Sequence, residues 1–391
     1  VISFSCPNCD DQLVFFENTE CLRCGTLLGF DAGALTLVAV EPLDAEARYC
    51  ANRTVAACNW LVDAPGSLCR SCRLTRTRPS DADTSALAAF AETEAAKRRL
   101  VFQALDLGLP LDSWQDRPGG LGYDMLSSRD ADVVIGHVDG IITIDLAETD
   151  DPTREQVRQD MGEAYRTMLG HLRHETGHWY WYELVSTPGL SEPFRELFGD
   201  ERASYSDALD RHYAAGAPSN WSESYVSAYA TMHPWEDFAE TFAHYLHIRD
   251  TLQTAASYDM RIDVQGLSAD PEVEVDDEPF RDILADWLPL TYALNAVNRS
   301  MGSGDLYPFV LSPEVVRKLT WVHHRVTPVE NQELALEASE ADLPATDPSP
   351  DSPTAEGSET EPAGEAAEAE PPGEAQAQQR SRFARLFPGR R

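Results

Sequence analysis

The chain has 391 residues, enough for two or three domains at ~150 residues each and for a large core. Its formal net charge is −35; 14 acidic residues between Glu330 and Glu374 and five Arg in the last twelve residues account for −9 of that, leaving −26 on residues 1–325. A body this acidic repels phosphate rather than displacing its counterions, which argues against nucleic acid or an anionic membrane as a partner.

No stretch approaches the ~20 apolar residues of a membrane span, and Val1 to Asp11 lack the basic-then-apolar order of a secretory signal. The chain is therefore expected to be soluble and cytoplasmic. All eight cysteines fall in the first 72 residues and six sit in CxxC pairs. In a reducing compartment this segregation reads as metal binding rather than as a disulfide framework. Cys6-Pro7-Asn8-Cys9 and Cys21-Leu22-Arg23-Cys24 are two knuckles with eleven residues between them. Each presents two thiolates from a tight turn, and together they complete a closed tetrahedral zinc site. Gln12–Phe16 and Thr26–Phe30 have the short apolar character of hairpin strands. Cys50, Cys58, Cys69 and Cys72 form a second group. Its Cys69–Cys72 knuckle supports another zinc site, while the gap of seven residues between Cys50 and Cys58 departs from common ligand spacing and leaves buried free thiols as the alternative. Arg70, Arg73, Arg76 and Arg78 beside it read as a solvated patch answering the acidic body, since no aromatic residues interleave.

Residues 1–78 thus form a Cys-rich zinc-ribbon module, 79–87 a linker, 88–328 a second domain and 329–391 an acidic tail with a basic end. A helix is expected over Ala88–Leu105, and strands over Val133–Gly136 and Ile141–Leu146, joined at Asp139-Gly140, a dipeptide suited to a tight hairpin. From Arg154 to about Val185 the periodicity predicts one long helix with Val157, Met161, Tyr165, Met168, Leu169 and Leu172 on one side. Further helices are expected over Trp235–Ile248, over Phe280–Asn298 with an interruption at Pro289, and after Ser312-Pro313-Glu314, an N-cap followed by Pro at the first position. From about Val329 onward the composition is Glu, Ala, Pro, Ser and Thr, too poor in apolar residues to offset ordering entropy, so disorder is predicted.

Within the long helical pattern, His174-Glu175-Thr176-Gly177-His178 is an HExxH motif. Four residues make slightly more than one turn, so the two imidazoles share a face and can ligate one zinc, with Glu175 as general base toward the water that zinc activates. A catalytic zinc needs a third protein ligand and one open position. The metzincin extension is missing, because Trp181 stands where its Gly belongs and Leu184 where its third His belongs. Downstream, Glu236 and Glu240 share one face of a helix rich in Phe238, Ala239, Phe242 and Ala243, a composition that predicts burial. One Glu suits a ligand and the other its neighbour; spacing alone leaves both orders open. His171, His244 and the run Trp179–Tyr182 read as packing or rim groups, and Asp200 either as partner of a ligand imidazole or as a turn residue.

HETGH followed, with 57 residues between, by an EDFAE helix resembles the gluzincin metallopeptidases. More closely, CPNC, CLRC and CRSC, AKRRLVFQALDLGLPL, FGDERASY, HPWEDFAETFAHYLHI and LTYALNAVNRSMG resemble a bacterial family of zinc-binding metallopeptidases with an N-terminal zinc ribbon, over nearly all of residues 1–328. The resemblance implies an α+β chain: a mainly helical gluzincin-type domain, a small β-rich ribbon module and a disordered tail. It implies His174, His178 and Glu236 as zinc ligands, Glu175 as base and Glu240 as the group that hydrogen-bonds a ligand His. Tyr229, seven residues before Glu236, stands where some toxin-like gluzincins hold a Tyr that steadies the oxyanion, with Tyr225 nearby. The expected activity is hydrolysis of peptide or protein substrates with one catalytic and one or two structural zinc ions. The alternative is a non-catalytic adaptor that binds a protein partner through its ribbon; an intact Glu175 argues against it, since a scaffold needs no general base.

Overall fold

The computed structural model describes residues 2–9, 12–128, 133, 135–150, 167–187, 189–264, 266–272 and 279–327. The tail from Val329 lies outside the described residues, as do Val157, Met161 and Tyr165.

The N-terminal region is built from two short antiparallel pairs, β1 (Phe4–Ser5) with β2 (Leu13–Val14) and β3 (Leu28–Asp31) with β4 (Thr36–Ala39). Both expected apolar segments carry a strand, each shorter than or offset from the expected span. A single helical turn, α1 (Ala45–Arg48), leads into the second cysteine group. These pairs are too small to enclose a core by themselves. They close instead on one ring from the next helix: Phe102 lies 6.5, 5.4 and 5.7 Å from the rings of Phe4, Phe16 and Phe30.

That helix, α2 (Thr84–Asp106), begins earlier than expected, inside the stretch read as linker. The reason is local: the Asp83 side chain accepts from Ala86 N and caps the first turn. β5 (Thr75–Thr77), directly after the last cysteine, pairs in parallel with β6 (Gly122–Leu126). It is the edge of a four-stranded sheet ordered β5-β6-β8-β7, with β6 and β8 (Ile141–Asp145) parallel and β7 (Gly136–Val138) antiparallel to β8. The expected hairpin is present, but its first strand starts at Gly136 rather than Val133. Val138 faces Ile141 across a two-residue turn in which Asp139 and Gly140 have φ of 51° and 82°, the doubly left-handed geometry of a type I′ connection.

Among the described residues six more α-helices follow: α3 (Met168–Leu184), α4 (Ser191–Phe198), α5 (Tyr205–Ala215), α6 (Pro234–Ser257), α7 (Phe280–Ser300) and α8 (Pro313–Val326), with the β9 (Ile262–Val264) and β10 (Leu267–Ala269) hairpin between α6 and α7. The long helix expected from Arg154 does not run through. Thr167 is extended and its hydroxyl accepts from Gly170 N, so α3 starts afresh at Met168. α6 runs nine residues beyond Ile248, and α7 retains Pro289 inside a continuous helix. Ser312 caps α8 with Pro313 at its first turn, as its sequence specifies. Gln103 of α2 ties the bundle together: its Nε2 donates to Leu246 O of α6 at 2.7 Å while its Oε1 accepts from Arg173 of α3 at 3.0 Å. Among the described residues no helix is long and apolar enough to cross a membrane.

Because Phe102 touches both sides, Phe102→Ala should destabilise the protein by about 3–5 kcal/mol in denaturant unfolding. A loss below about 1 kcal/mol, the range of ordinary surface changes, would show that the ribbon packs only loosely on α2.

Candidate metal centre

The centre forms where α3 crosses α6. A Cβ added at Gly177 would lie 3.1 Å from Ala239 Cα and 3.2 Å from its carbonyl oxygen, so a glycine facing an alanine is what lets the two backbones approach. α6 is oriented by its cap: His233 Nδ1 accepts from Trp235 N at 3.1 Å and its Nε2–H donates to Ala203 O at 3.1 Å. Pro234 opens the helix, and Glu236 and Asp237 occupy its first turn, where the helix dipole favours carboxylates.

With the helices in contact, His174 Nε2 lies 3.0 Å and His178 Nε2 3.3 Å from the same atom, Glu236 Oε2. Ligands about 2.1 Å from a tetrahedral zinc stand roughly 3.4 Å apart, so these donors, all within 4.8 Å of one another, are placed to hold one zinc with no fourth donor among the described residues. Glu240 faces the other nitrogen: its Oε1 is 2.6 Å from His174 Nδ1, which directs the Nε2 lone pair toward the shared point. The carboxylate that meets both Nε2 atoms is that of Glu236, while Glu240 meets the other nitrogen of His174.

Burial, only 2 % exposure for Glu236, pushes its carboxyl up, but the charges and hydrogen bonds of His178 and His174 outweigh this and hold it well below the usual carboxylate range. Glu240 behaves alike: burial raises it, and His174 brings it down to about 2. For His174, burial favours the neutral ring, yet its bonds to Glu236 and Glu240 hold its pKa well above the ordinary value.

Glu175 lies on the same helix, buried; its Oε2 has no hydrogen-bond partner among the described residues. The Tyr229 ring is 5.9 Å from that of His174, and burial keeps its phenol protonated far above neutral pH. Tyr205, to which sequence spacing assigns no role, donates its hydroxyl to Glu236 Oε1 at 2.7 Å; the FGDERASY segment that contains it is the signal that points there. Trp235 stacks near His178 at 4.3 Å, and His137, which no motif in the sequence marks, packs against Trp235 at 6.1 Å, its pKa pushed down by burial to about 3. Asp200 reaches no ligand imidazole and pairs with Arg202 at 2.7 Å. His244 bonds Tyr307 at 2.7 Å. Trp179 and Tyr180 donate to Gly119 O and Pro110 O, which makes them packing groups.

The cysteines gather in two groups of four, Cys6, Cys9, Cys21 and Cys24, and Cys50, Cys58, Cys69 and Cys72. None is bridged by a disulfide. Sulfur separations are 3.7 Å for Cys6–Cys24, 3.8 Å for Cys9–Cys21 and 3.7 Å for Cys58–Cys69, against roughly 3.8 Å for the edge of a tetrahedron with zinc–sulfur bonds of about 2.3 Å. The loose Cys50–Cys58 spacing does not keep those residues apart: Cys50 Sγ accepts from Cys69 N at 3.3 Å. Of the neighbouring arginines, Arg73, Arg76 and Arg78 pair with Asp116, Asp124 and Asp81.

Two outcomes are expected. Gly177→Val should force α3 away from α6 and lower zinc at the His/Glu site while cysteine-bound zinc stays; elemental analysis checks it, and an unchanged total would show the crossing to be slack. In the metal-free site the raised His174 pKa means that its ion pairs with the glutamates stabilise the fold fully below 6.5, its ordinary value, and that this contribution is lost as pH rises through the raised value. Zinc must displace that proton, so the gain in melting temperature on adding zinc should grow between about pH 6 and about pH 8. Thermal shifts across that range, with and without zinc, measure it.

A family model described as "Putative zinc-binding metallo-peptidase" matches residues 86–325, and one for a zinc-ribbon domain matches residues 3–83. Similar proteins come from Mycobacterium bovis and from two strains of Mycobacterium tuberculosis, each named only as an uncharacterized protein. Each is 51% identical over 330 residues, covering 82% of this chain and 94% of its own length. No solved structure matches the chain. With a ribbon match ahead of a match across α2 to α8, the chain belongs to the zinc-binding metallopeptidase family with an N-terminal zinc-ribbon domain.

Proposed function

We propose that the protein is a cytoplasmic zinc peptidase of the gluzincin type that hydrolyses peptide bonds in peptide or protein substrates. The observation that carries this reading is the convergence of His174 Nε2, His178 Nε2 and Glu236 Oε2 on one point, beside a buried glutamate that is not needed as a ligand. His174, His178 and Glu236 would hold the ion, and a zinc ion there supplies Lewis acidity toward a water and a peptide carbonyl. Glu175 takes the proton of the attacking water and returns it to the leaving amine. Its carboxyl is in the right protonation state for that role. Burial pushes it up, but His171, His174 and His178 together hold it below its ordinary value, so it is ionised at neutral pH. Glu240 fixes the His174 ring, and Tyr205 holds the outer oxygen of Glu236. Tyr229, protonated and close to His174, donates to the developing oxyanion. The two cysteine groups take one structural zinc each, and cysteines grouped as metal donors suit a cytoplasmic location.

Peptide-library digestion with and without a chelator tests the activity. Glu175→Gln should keep zinc and fold while turnover falls by ~10²–10⁴, the usual cost of losing a general base. Glu236→Gln should instead weaken zinc binding, since a neutral amide replaces an anionic ligand. If both variants hold full zinc and cleave at the parental rate, both assignments are wrong; if the parent cleaves nothing, the adaptor reading takes precedence.

A further inference from the structure

We infer that His171, itself held by Glu148, is a positioning residue that aims the Glu175 carboxylate. The inference rests on Glu175 being the general base. His171 precedes Glu175 by one helical turn, and its Nε2 lies 3.4 Å from Glu175 Oε1. Its other nitrogen, Nδ1, lies 3.2 Å from Glu148 Oε2, an ion-pair contact without hydrogen-bond geometry among the described residues. The three side chains thus stand in series, Glu148, His171, Glu175, with one imidazole nitrogen toward each carboxylate.

Glu148 reaches this place through the sheet. β8 ends at Asp145, whose Oδ1 accepts from Ala147 N at 2.9 Å and from Ser128 N at 3.0 Å. Those bonds turn the chain into the short 3₁₀ helix Leu146–Thr149 and carry Glu148 to the side of α3. All three groups are buried, Glu148 at 2 % exposure and His171 and Glu175 at 8 % each. Removing two carboxylates and an imidazole from water is costly, and apolar side chains would fill the same space at lower cost. The series therefore has a use beyond packing.

The geometry supplies it. A glutamate on a helix has three side-chain torsions, and a base must be held to within about 0.5 Å to work. His171 engages Oε1, so the orientation of the carboxylate is set and Oε2, unpartnered among the described residues, is the oxygen left for the reacting water. Glu148 faces the far side of the His171 ring at ion-pair distance, so its charge favours the ring position from which Nε2 meets Glu175. Neither Glu148 nor His171 belongs to the three-residue donor group, so their removal leaves the metal ligands in place.

The test uses the zinc-loaded protein and acetohydroxamate, which binds zinc and hands its proton to the neighbouring base, so its affinity reports the base without needing a peptide substrate. Calorimetry is run on the parent, Glu175→Gln, His171→Leu, His171→Gln and Glu148→Gln, with zinc content measured on each. We expect Glu175→Gln and His171→Leu both to weaken binding by about tenfold or more, the usual effect of losing an outer hydrogen-bond partner, at unchanged zinc. His171→Gln, whose amide Nε2 still donates toward Glu175 Oε1, should recover most of the loss. A role in packing alone predicts the reverse rank, because Leu fills the site without a buried polar group. Should His171→Leu fail to fold, the inference stands on Glu148→Gln, and parental affinity there overturns it. If Glu175→Gln weakens binding and His171→Leu does not, the positioning role is wrong and the peptidase reading survives. If the zinc-loaded parent binds no hydroxamate, the peptidase reading fails and this inference fails with it.

Discussion

The close approach of α3 and α6 is the constraint on which the rest of the molecule depends. Two histidines four residues apart share a helix face wherever HExxH occurs, but a third ligand exists only if a second helix comes near enough to extend a carboxylate between them. Here the contact is backbone against backbone, Gly177 against Ala239. A larger side chain at either position would hold the helices apart by more than a carboxylate could bridge. Phe242 closes the same crossing from one side, within 3.3 Å of the Gly177 Cβ position. The glycine of HETGH is thus a packing residue inside a chemical motif.

The same economy appears in the two lysines. In a chain with 31 basic residues only Lys97 and Lys318 are Lys, and both are buried at ion pairs next to a metal-donor group. Lys97 bonds Glu94 at 2.6 Å, and Glu94 Oε2 is 3.7 Å from Cys72 Sγ. Lys318 bonds Asp237, the residue after Glu236, at 2.7 Å and also donates to Ser224 O at 2.7 Å. Buried pairs add little net stability, because desolvation offsets much of the attraction, but breaking one is costly. Their effect is to fix register. Lys318 ties the last helix both to the turn of α6 that carries Glu236 and to the loop leading to Tyr229, while Lys97 ties α2 to the second cysteine group. From there the chain of contacts continues inward: the Lys97 ammonium lies over the Tyr123 ring at 5.4 Å, and the Tyr123 hydroxyl is 2.8 Å from Thr176 Oγ1, inside HETGH. Ribbon and metal-centre helix are thus joined by buried polar groups as well as by the Phe102 aromatic contacts.

What is legible in the sequence is whatever local spacing determines. The CxxC knuckles, the HExxH pair, the Asp139-Gly140 turn and the Ser312-Pro313 cap each follow from residues a few positions apart. Thr167 is hidden as a cap because apolar periodicity before it suggests continuity, although a Thr three residues before Gly170 is itself a start signal. Two strands of the sheet are obscure for the opposite reason: Thr75–Thr77 and Gly122–Leu126 pair in parallel across more than forty residues, and a parallel edge strand as polar as Thr-Arg-Thr leaves no alternation to read. Tyr205, Glu148 and the true neighbours of His171 are equally hidden, since each comes from an element whose approach to α3 or α6 is set by tertiary packing and not by sequence distance.

The charge balance of the centre explains why such a site suits a dication. Glu175 on α3 and Glu236 and Asp237 on α6 carry buried carboxyls, with Glu240 partly buried one turn on, and among the described residues the fixed cation paired with them is Lys318, on Asp237. Burial, with the Glu240 charge adding to it, lifts Asp237 to about 7 despite that lysine. Glu236 and Glu240 nevertheless stay ionised, Glu236 because of His178 and His174 and Glu240 because of His174, which lies between the two carboxylates and takes up a proton. That proton occupies the line from His174 Nε2 to Glu236 Oε2, the same line that a bound zinc would use. A zinc ion there would be held by His174, His178 and Glu236 in place of that proton, with His174 Nδ1 still donating to Glu240. The buried acid that would otherwise oppose folding is thereby matched to a divalent ion, and metal binding and proton release become one step.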